Sequence, residues 1–211
     1  MSEILNMTEY ILKGSIVTLK LYIVTIIFSV PLAILLAWGR SSKFKILRNT
    51  IGIYTWIFRG TPLLLQIFFM YYGLPVIGIK FTEFTAATLT FVLNYTAYLT
   101  EIFRGGIESI DIGQFEAAKV LGMNYKQTMF RIILPQAFRR VIPPICNEAI
   151  TLVKDTALVT VIGMPEILRN AKEIVTREFT NTPFIIAGII YLLITSIIVI
   201  IFRKLEKKLA Y

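Results

Sequence analysis

The sequence predicts an all-α, polytopic membrane protein. The expectation is one domain over residues 1–211 with five transmembrane helices, N-terminus outside and C-terminus inside. Three observations carry it: an apolar composition, the length of the uncharged runs, and the placement of the basic residues. Hydrophobic residues make up 56% of the 211 and charged residues 17%, with a mean hydropathy of +0.71. A soluble domain has about 45–50% apolar and about 25% charged residues. A chain this size with that balance has more apolar surface than its own core can hide.

Each span follows from run length. A bilayer core about 30 Å thick needs roughly 20 helical residues. The uncharged runs Leu21–Trp38, Gly60–Ile79, Phe84–Thr100 and Thr180–Phe202 come close to that length. A fifth candidate near 145–164 is interrupted by Glu148, Lys154 and Asp155. The expected spans are 14–39, 51–73, 83–104, 145–164 and 183–203. The first residues carry Glu3 and Glu9 and no basic cluster ahead of an apolar run, so no cleaved signal is expected.

Charge fixes the count and the orientation. Residues 40–48 hold Arg40, Lys43, Lys45 and Arg48 with no acid. Residues 104–140 hold six bases and three acids, and the tail holds Arg203, Lys204, Lys207 and Lys208 against Glu206. Together these segments contain 14 of the 22 basic residues. Five spans place all three on the cytoplasmic side, whereas four would leave the basic tail outside. The net charge of +9 then reflects cytoplasmic loops, and no nucleic-acid partner is expected.

Composition also excludes chemistries. The chain has no His and one Cys, Cys146, so a histidine base, a His-ligated metal site and an intrachain disulfide are excluded. No GxxxxGK[ST] loop is present, so no nucleotide site or cofactor is expected in this chain. A catalytic function is therefore not expected.

The segment between the third and fourth spans, about 105–140, is too long for a simple turn. Glu116–Leu121 reads helical, Gly122 stops it, and Tyr125–Ile133 reads helical again. Pro135 is expected to end that piece, and Pro143-Pro144 to break the chain before it re-enters the membrane. This loop carries Glu116-Ala117-Ala118, three residues, Gly122, nine residues, Ile132, one residue, then Leu134-Pro135. That pattern, EAA-x3-G-x9-I-x-LP, resembles the signature of permease subunits of bacterial-type ATP-binding-cassette (ABC) importers. Phe58–Leu64, Thr100–Gly106 and Val153–Leu158 resemble the polar-amino-acid branch of that family.

The resemblance implies a dimer of such subunits, with two ATPase subunits that bind ATP and Mg on the cytoplasmic face.

 

It also implies an extracytoplasmic amino-acid-binding protein that delivers the substrate, and a multi-pass location in the cell membrane. Under the same resemblance Glu116, Ala117, Ala118, Gly122, Leu134 and Pro135 form the element that couples to the ATPase. From the residues alone, Gly122 supplies a left-handed stop, and the two alanines give a small face that a groove can approach.

Inside the membrane, Asn94, Tyr98 and Glu101 share one face of the third span, at i, i+4 and i+7. Glu148, Thr151 and Asp155 share a face of the fourth, flanked by Thr156 and Leu158. Polar stripes on apolar spans face a bundle interior or a water-filled path. One reading is a cavity where Glu101 and Asp155 attract a cationic substrate. The other is internal pairing of Glu101 with Arg104 or Arg59. Pairing of Asp155 with Lys154 is disfavoured because adjacent residues diverge by about 100° on a helix.

Pro62 lacks an N–H and clashes with the carbonyl of Phe58, so the second span is expected to kink or break at Gly60-Thr61-Pro62. Freed backbone groups at that depth are tolerated where they line a cavity. The expected substrate site is thus Gly60, Thr61, Asn94, Tyr98, Glu101, Asp155 and Leu158. The expected function is the pathway subunit of an ATP-driven importer of a polar, preferably basic, amino acid. Glutamine or general polar amino-acid import is the alternative, and a passive cation channel the remote one. Residues 165–182 are read either as an amphipathic external helix or as a solvated connector.

Overall fold

The computed structural model describes residues 2–209, and every regular element among them is helical. A first helix, α1 (Ser2–Lys13), runs through Gly14 into α2 (Ser15–Arg40). Gly14 keeps right-handed helical angles, so Glu3–Arg40 is one rod of 38 residues, long and apolar enough to cross a membrane. Thr182–Lys208, within α10 (Thr182–Leu209), is a second such helix. The helical extension before residue 14 was not anticipated from sequence.

The second expected span is two helices. α3 (Lys45–Gly60) and α4 (Leu63–Phe68) meet at a bend of 102° if α4 is followed through to Ile77. Thr61 and Pro62 both take extended angles, so the chain breaks where Pro62 removes a donor. A wide π-turn, Phe69–Gly73, and a tight 3₁₀ turn, Leu74–Ile77, complete the arm. Taken as one broken span, this pair makes a third crossing by length and composition.

α5 (Glu83–Glu108) has 26 residues, about 39 Å of helix. Thr82 caps it by accepting from the Thr85 amide at 3.3 Å. α2 lies along α5, and small residues line their contact: Ser29, Ala33 and Ala37 on α2, Ala86, Thr90 and Ala97 on α5. α8 (Leu134–Asp155) packs against α5 and α10. Threonines, Asn94 and tyrosines along α5, and charges along α8, keep these two from reading as apolar rods, although both are long enough to span.

Two expectations about prolines are corrected. Pro135 opens α8 within its first turn and does not end a helix. α7 (Tyr125–Thr128) passes through a π-turn, Met129–Ile133, straight into α8, and that wider turn absorbs the missing donor. Pro143 and Pro144 lie inside α8 and do not break it. They forfeit bonds to the carbonyls of Arg139 and Arg140, both of which sit on an exposed stretch. The expected 145–164 span is accordingly the end of α8 plus a 3₁₀ stretch, Thr156–Ile162, closed by Gly163 at φ 85°.

α6 (Ile112–Val120) ends at Leu121, and Gly122 takes φ 72°, the left-handed stop expected of it. Residues 165–182 contain α9 (Ile167–Glu178), the amphipathic-helix alternative. Its Ile167, Ala171 and Ile174 pack on Met7 and Ile11 of α1 and on Ala187 and Ile190 of α10. Buried Glu166 caps α9, accepting from the amides of Leu168 (2.8 Å) and Arg169 (2.6 Å) and from the Tyr191 hydroxyl (2.6 Å). Gly14 lies against this cap so closely that a Cβ there would sit 2.5 Å from the Glu166 carbonyl carbon. The main core joins Leu21, Ile67, Phe91, Tyr95, Leu152 and Val159, from five helical segments, directly beneath the broken arm.

Candidate functional site

The break between α3 and α4 leaves backbone carbonyls without helical partners, and side chains from two directions collect them. Gln66, one turn into α4, donates through Nε2 to the Phe58 carbonyl (2.9 Å), the Thr61 carbonyl (3.1 Å) and Thr61 Oγ1 (2.7 Å). Asn94 on α5 donates to the same Phe58 carbonyl (3.0 Å) and to Gln66 Oε1 (3.0 Å). Thr61 closes back on the Ile57 carbonyl at 2.8 Å, and the Tyr98 hydroxyl reaches the Arg59 carbonyl at 3.4 Å. A break held by this many bonds is a fixed corner, since an unpaired buried carbonyl costs about 1–3 kcal/mol.

Beside the corner is a cavity of about 380 Å³. Its walls come from three places: the broken arm (Arg59 to Leu63), α5 (Asn94, Tyr95, Tyr98) and α8 (Glu148, Thr151, Asp155). Five of the seven expected site residues therefore line one space: Gly60, Thr61, Asn94, Tyr98 and Asp155. Asp155 Oδ2 accepts the Tyr95 hydroxyl at 2.7 Å. Among the described residues the ion pairs include neither Asp155 nor Glu148. Arg59 lies over the ring of Tyr98, 5.4 Å from its centroid. One cation and two carboxylates thus face a common volume, with hydroxyls of Tyr98 and Thr151 between them.

Two expected site residues stand elsewhere. Glu101 is not in the cavity wall. Its Oε2 meets Arg104 Nε and Nη2 at 2.7 Å each, its Oε1 accepts Thr55 Oγ1 at 3.0 Å, and Arg40 Nε lies 3.5 Å away. Of the two readings of Glu101, the geometry is that of internal pairing, with Arg104 and not Arg59. The stripe through Asn94 and Tyr98 is real, but one turn further along, two arginines from α2 and α5 close over it. Leu158 is half-buried and packs on the main core.

Gln66 and Tyr95 were missed. Gln66 stands in an apolar run, one turn beyond the break at Pro62 and within reach of its freed carbonyls. Tyr95 lies on the same side of α5 as Asp155's carboxylate, which only the tertiary packing reveals.

The loop between α5 and α8 is a separate structure. Ala118 is fully buried, in contrast to the open two-alanine face expected, while Glu116 and Ala117 are exposed. Around them Ile112 (73% exposed), Val120 (87%) and Leu121 (76%) are bared. Leu134 packs with Ile110, Met129 and Ile133 under the loop, and Pro135 is exposed at the start of α8.

A helical chain with apolar rods, a fixed break at a polar cavity and a bared loop has the build of a membrane transport subunit. A family model, the binding-protein-dependent transport system inner membrane component, matches residues 29–211, and the chain belongs to that family. It is 42% identical over 202 residues to the arginine transport system permease protein ArtQ of Bacillus subtilis (strain 168), covering 95% of this chain and 92% of that one. It is 40% identical over 203 residues to the putative glutamine transport system permease protein GlnP of Rickettsia bellii (strain RML369-C), with 95% and 93% covered. The crystal structure of an amino acid ABC transporter with histidines superposes with a TM-score of 0.92 at 33% identity, over 98% of this chain and 97% of that chain. The chain is thus a transporter permease subunit and not a catalytic one, as the loop pattern implied.

Proposed function

We propose that this chain is the membrane pathway of an ATP-driven amino-acid importer and that the cavity at the α3–α4 break holds the substrate. The carrying observation is the arrangement of charge: Arg59 on one wall, Glu148 and Asp155 on another, none of them closed by an ion pair. An α-amino acid is a zwitterion, so a cation and a carboxylate are the minimum it needs. A second carboxylate favours a substrate with a second positive charge, which makes arginine, lysine or histidine the preferred class. Glutamine import, the putative function of several Rickettsia relatives, is the alternative, with Asn94 and Thr151 serving its amide.

The topology that fits is five spans with the C-terminus inside: α2, the broken α3–α4 arm, α5, α8 with its 3₁₀ end, and α10. All three basic segments then face the cytoplasm. The polar corner and the charges of α8 are tolerated there because they line a cavity and not lipid. Residues 1–211 act as one domain.

The bared residues Ile112, Val120 and Leu121 beside Glu116 and Ala117 are the surface for an ATPase subunit, since exposed apolar clusters mark interaction sites. Two ATPases, a second copy of this chain and an extracytoplasmic binding protein complete the machine. ATP and Mg belong to the ATPases. Their closure moves the loop from Gly113 to Pro135, and α8, continuous with that loop, carries the motion to Glu148 and Asp155.

The test is uptake into proteoliposomes holding the full assembly, with labelled arginine, lysine, histidine, glutamine and glutamate compared. ATP-dependent entry with basic amino acids preferred is expected. Glutamine preference would move the substrate class, and entry without ATP or ATPase would support a passive channel instead.

A further inference from the structure

A second, larger hollow lies away from the substrate cavity. It is a groove of about 1030 Å³ between the ends of α2, α5 and α10 and the turn that joins α7 to α8. That volume is at the top of the roughly 300–1,000 Å³ range of ligand clefts. Its walls are apolar almost throughout, with Ile34 and Trp38 from α2, Phe138 and Ile142 from α8, and Phe202 from α10. Trp38 and Phe130 meet edge to face across one side, ring centroids 6.5 Å apart. The one charged residue among the described lining is Lys126, at the loop end. Phe202 is followed at once by Arg203 and Lys204, and a turn later by Lys207 and Lys208, with Glu206 as the single acid among them.

We infer that this groove seats an acyl chain of an anionic phospholipid from the cytoplasmic leaflet, with Lys126 and the basic end of α10 holding its headgroup. The inference rests on the membrane orientation proposed above. Three features favour a lipid as the occupant. The groove opens between α2 and α10, the two apolar rods whose outer residues, such as Leu35, Ile197 and Ile201, are exposed. Its apolar lining carries a single charge among the described residues, the cation of Lys126, the amphipathic pattern that suits a phospholipid. Basic pockets between spans on the cytoplasmic side are a recurring way to bind anionic headgroups. Because the groove floor includes the π-turn leading from the loop into α8, an occupied groove braces the segment that joins the ATPase surface to the cavity.

The experiment uses the full assembly in phosphatidylcholine vesicles that carry a minor fraction of phosphatidylglycerol with a photoactivatable acyl chain. Adducts are mapped by peptide mass spectrometry, and the same chain on phosphatidylcholine is the control. Adducts on 138–146 and on Trp38 are expected, about fivefold more from phosphatidylglycerol, the preference one basic residue gives near an anionic lipid. Lys126→Gln should remove the preference but keep some labelling. Ile34→Trp, which fills the groove from an exposed position, should remove the labelling. Equal yields from both lipids would overturn the headgroup assignment. Labelling of Ile197 and Ile201 with none in the groove would overturn the lipid altogether and indicate that a second copy of the chain covers it. Uptake measured on the same vesicles reports on the importer reading separately.

Discussion

The chain places carboxylates at two kinds of site, and they differ in what surrounds them. Glu101 is closed: two arginines and a threonine hydroxyl take up both its oxygens. Glu148 and Asp155 are open: they face a cavity of about 380 Å³, and among the described residues the hydrogen-bond partner of Asp155 is the Tyr95 hydroxyl. Glu101 and Asp155 look alike in the sequence, as acids on polar stripes of apolar helices, whereas Glu148 reads as an interfacial, structural or inner-gate acid. A carboxylate already neutralised by its neighbours joins helices, here α2, α3 and α5. One left without a cation has charge to offer a ligand. The difference teaches that intramembrane charge signals a substrate site only when the fold leaves it unpaired.

The largest test of this contrast is Asp155→Asn. It should lower uptake of a basic amino acid by about tenfold or more, the effect of losing a hydrogen bond to a charged group worth roughly 1.5–3 kcal/mol. Thermal stability of the purified protein should hardly change. Glu101→Gln should do the reverse. Arg40 and Arg104, with side chains 28% and 27% exposed, would lose their shared anion. The cost is about 1–2 kcal/mol, less than the roughly 3–5 kcal/mol of a fully buried pair. A fall in melting temperature with KM unchanged would confirm it.

Two glycines sharpen the same division. Gly14→Ala should destabilise by about 1–3 kcal/mol, since its Cβ would press on the backbone of Glu166 and Ile167 at 2.5 and 2.6 Å. Gly60→Ala meets nothing within 4 Å and should fold normally, so any change should appear in KM alone. Denaturation and uptake, run on both variants, separate scaffold from site.

The smallest effect belongs to Glu173 on α9, outside the spans. The Tyr10 hydroxyl (2.7 Å) and then Arg169 hold its carboxyl below the usual range. A lowered carboxylate stabilises the fold above its unfolded pKa, and that contribution fades as pH falls through the folded value. Both partners are exposed, so Glu173→Gln should cost only a few tenths of a kcal/mol at neutral pH and nothing in acid. A melting curve taken across that range checks it.

Much of the fold was legible because each signal was local. Pro62 breaks a helix wherever it stands, Gly122 is at home at positive φ, and run length marks α2 and α10. The cavity was partly legible for a similar reason: Asn94 and Tyr98 sit one turn apart, and Asp155 is an uncompensated charge. What was hidden depends on distant partners. The arginine that reaches Glu101 from α2, the Tyr95 bond to Asp155 and the burial of Ala118 are set by packing, which no spacing encodes. The continuity of α8 through Pro135, Pro143 and Pro144 was misread because proline rules describe a regular helix. They do not foresee a π-turn or an exposed stretch that tolerates freed carbonyls.

The most direct measurement is equilibrium binding of labelled arginine to the purified permease–ATPase assembly without its binding protein. The parent, Asp155→Asn and Glu101→Gln would be compared. Binding lost in Asp155→Asn and kept in Glu101→Gln is the expected result. Binding kept in Asp155→Asn and lost in Glu101→Gln, with both variants folded, would contradict the assignment of the open carboxylates to the substrate.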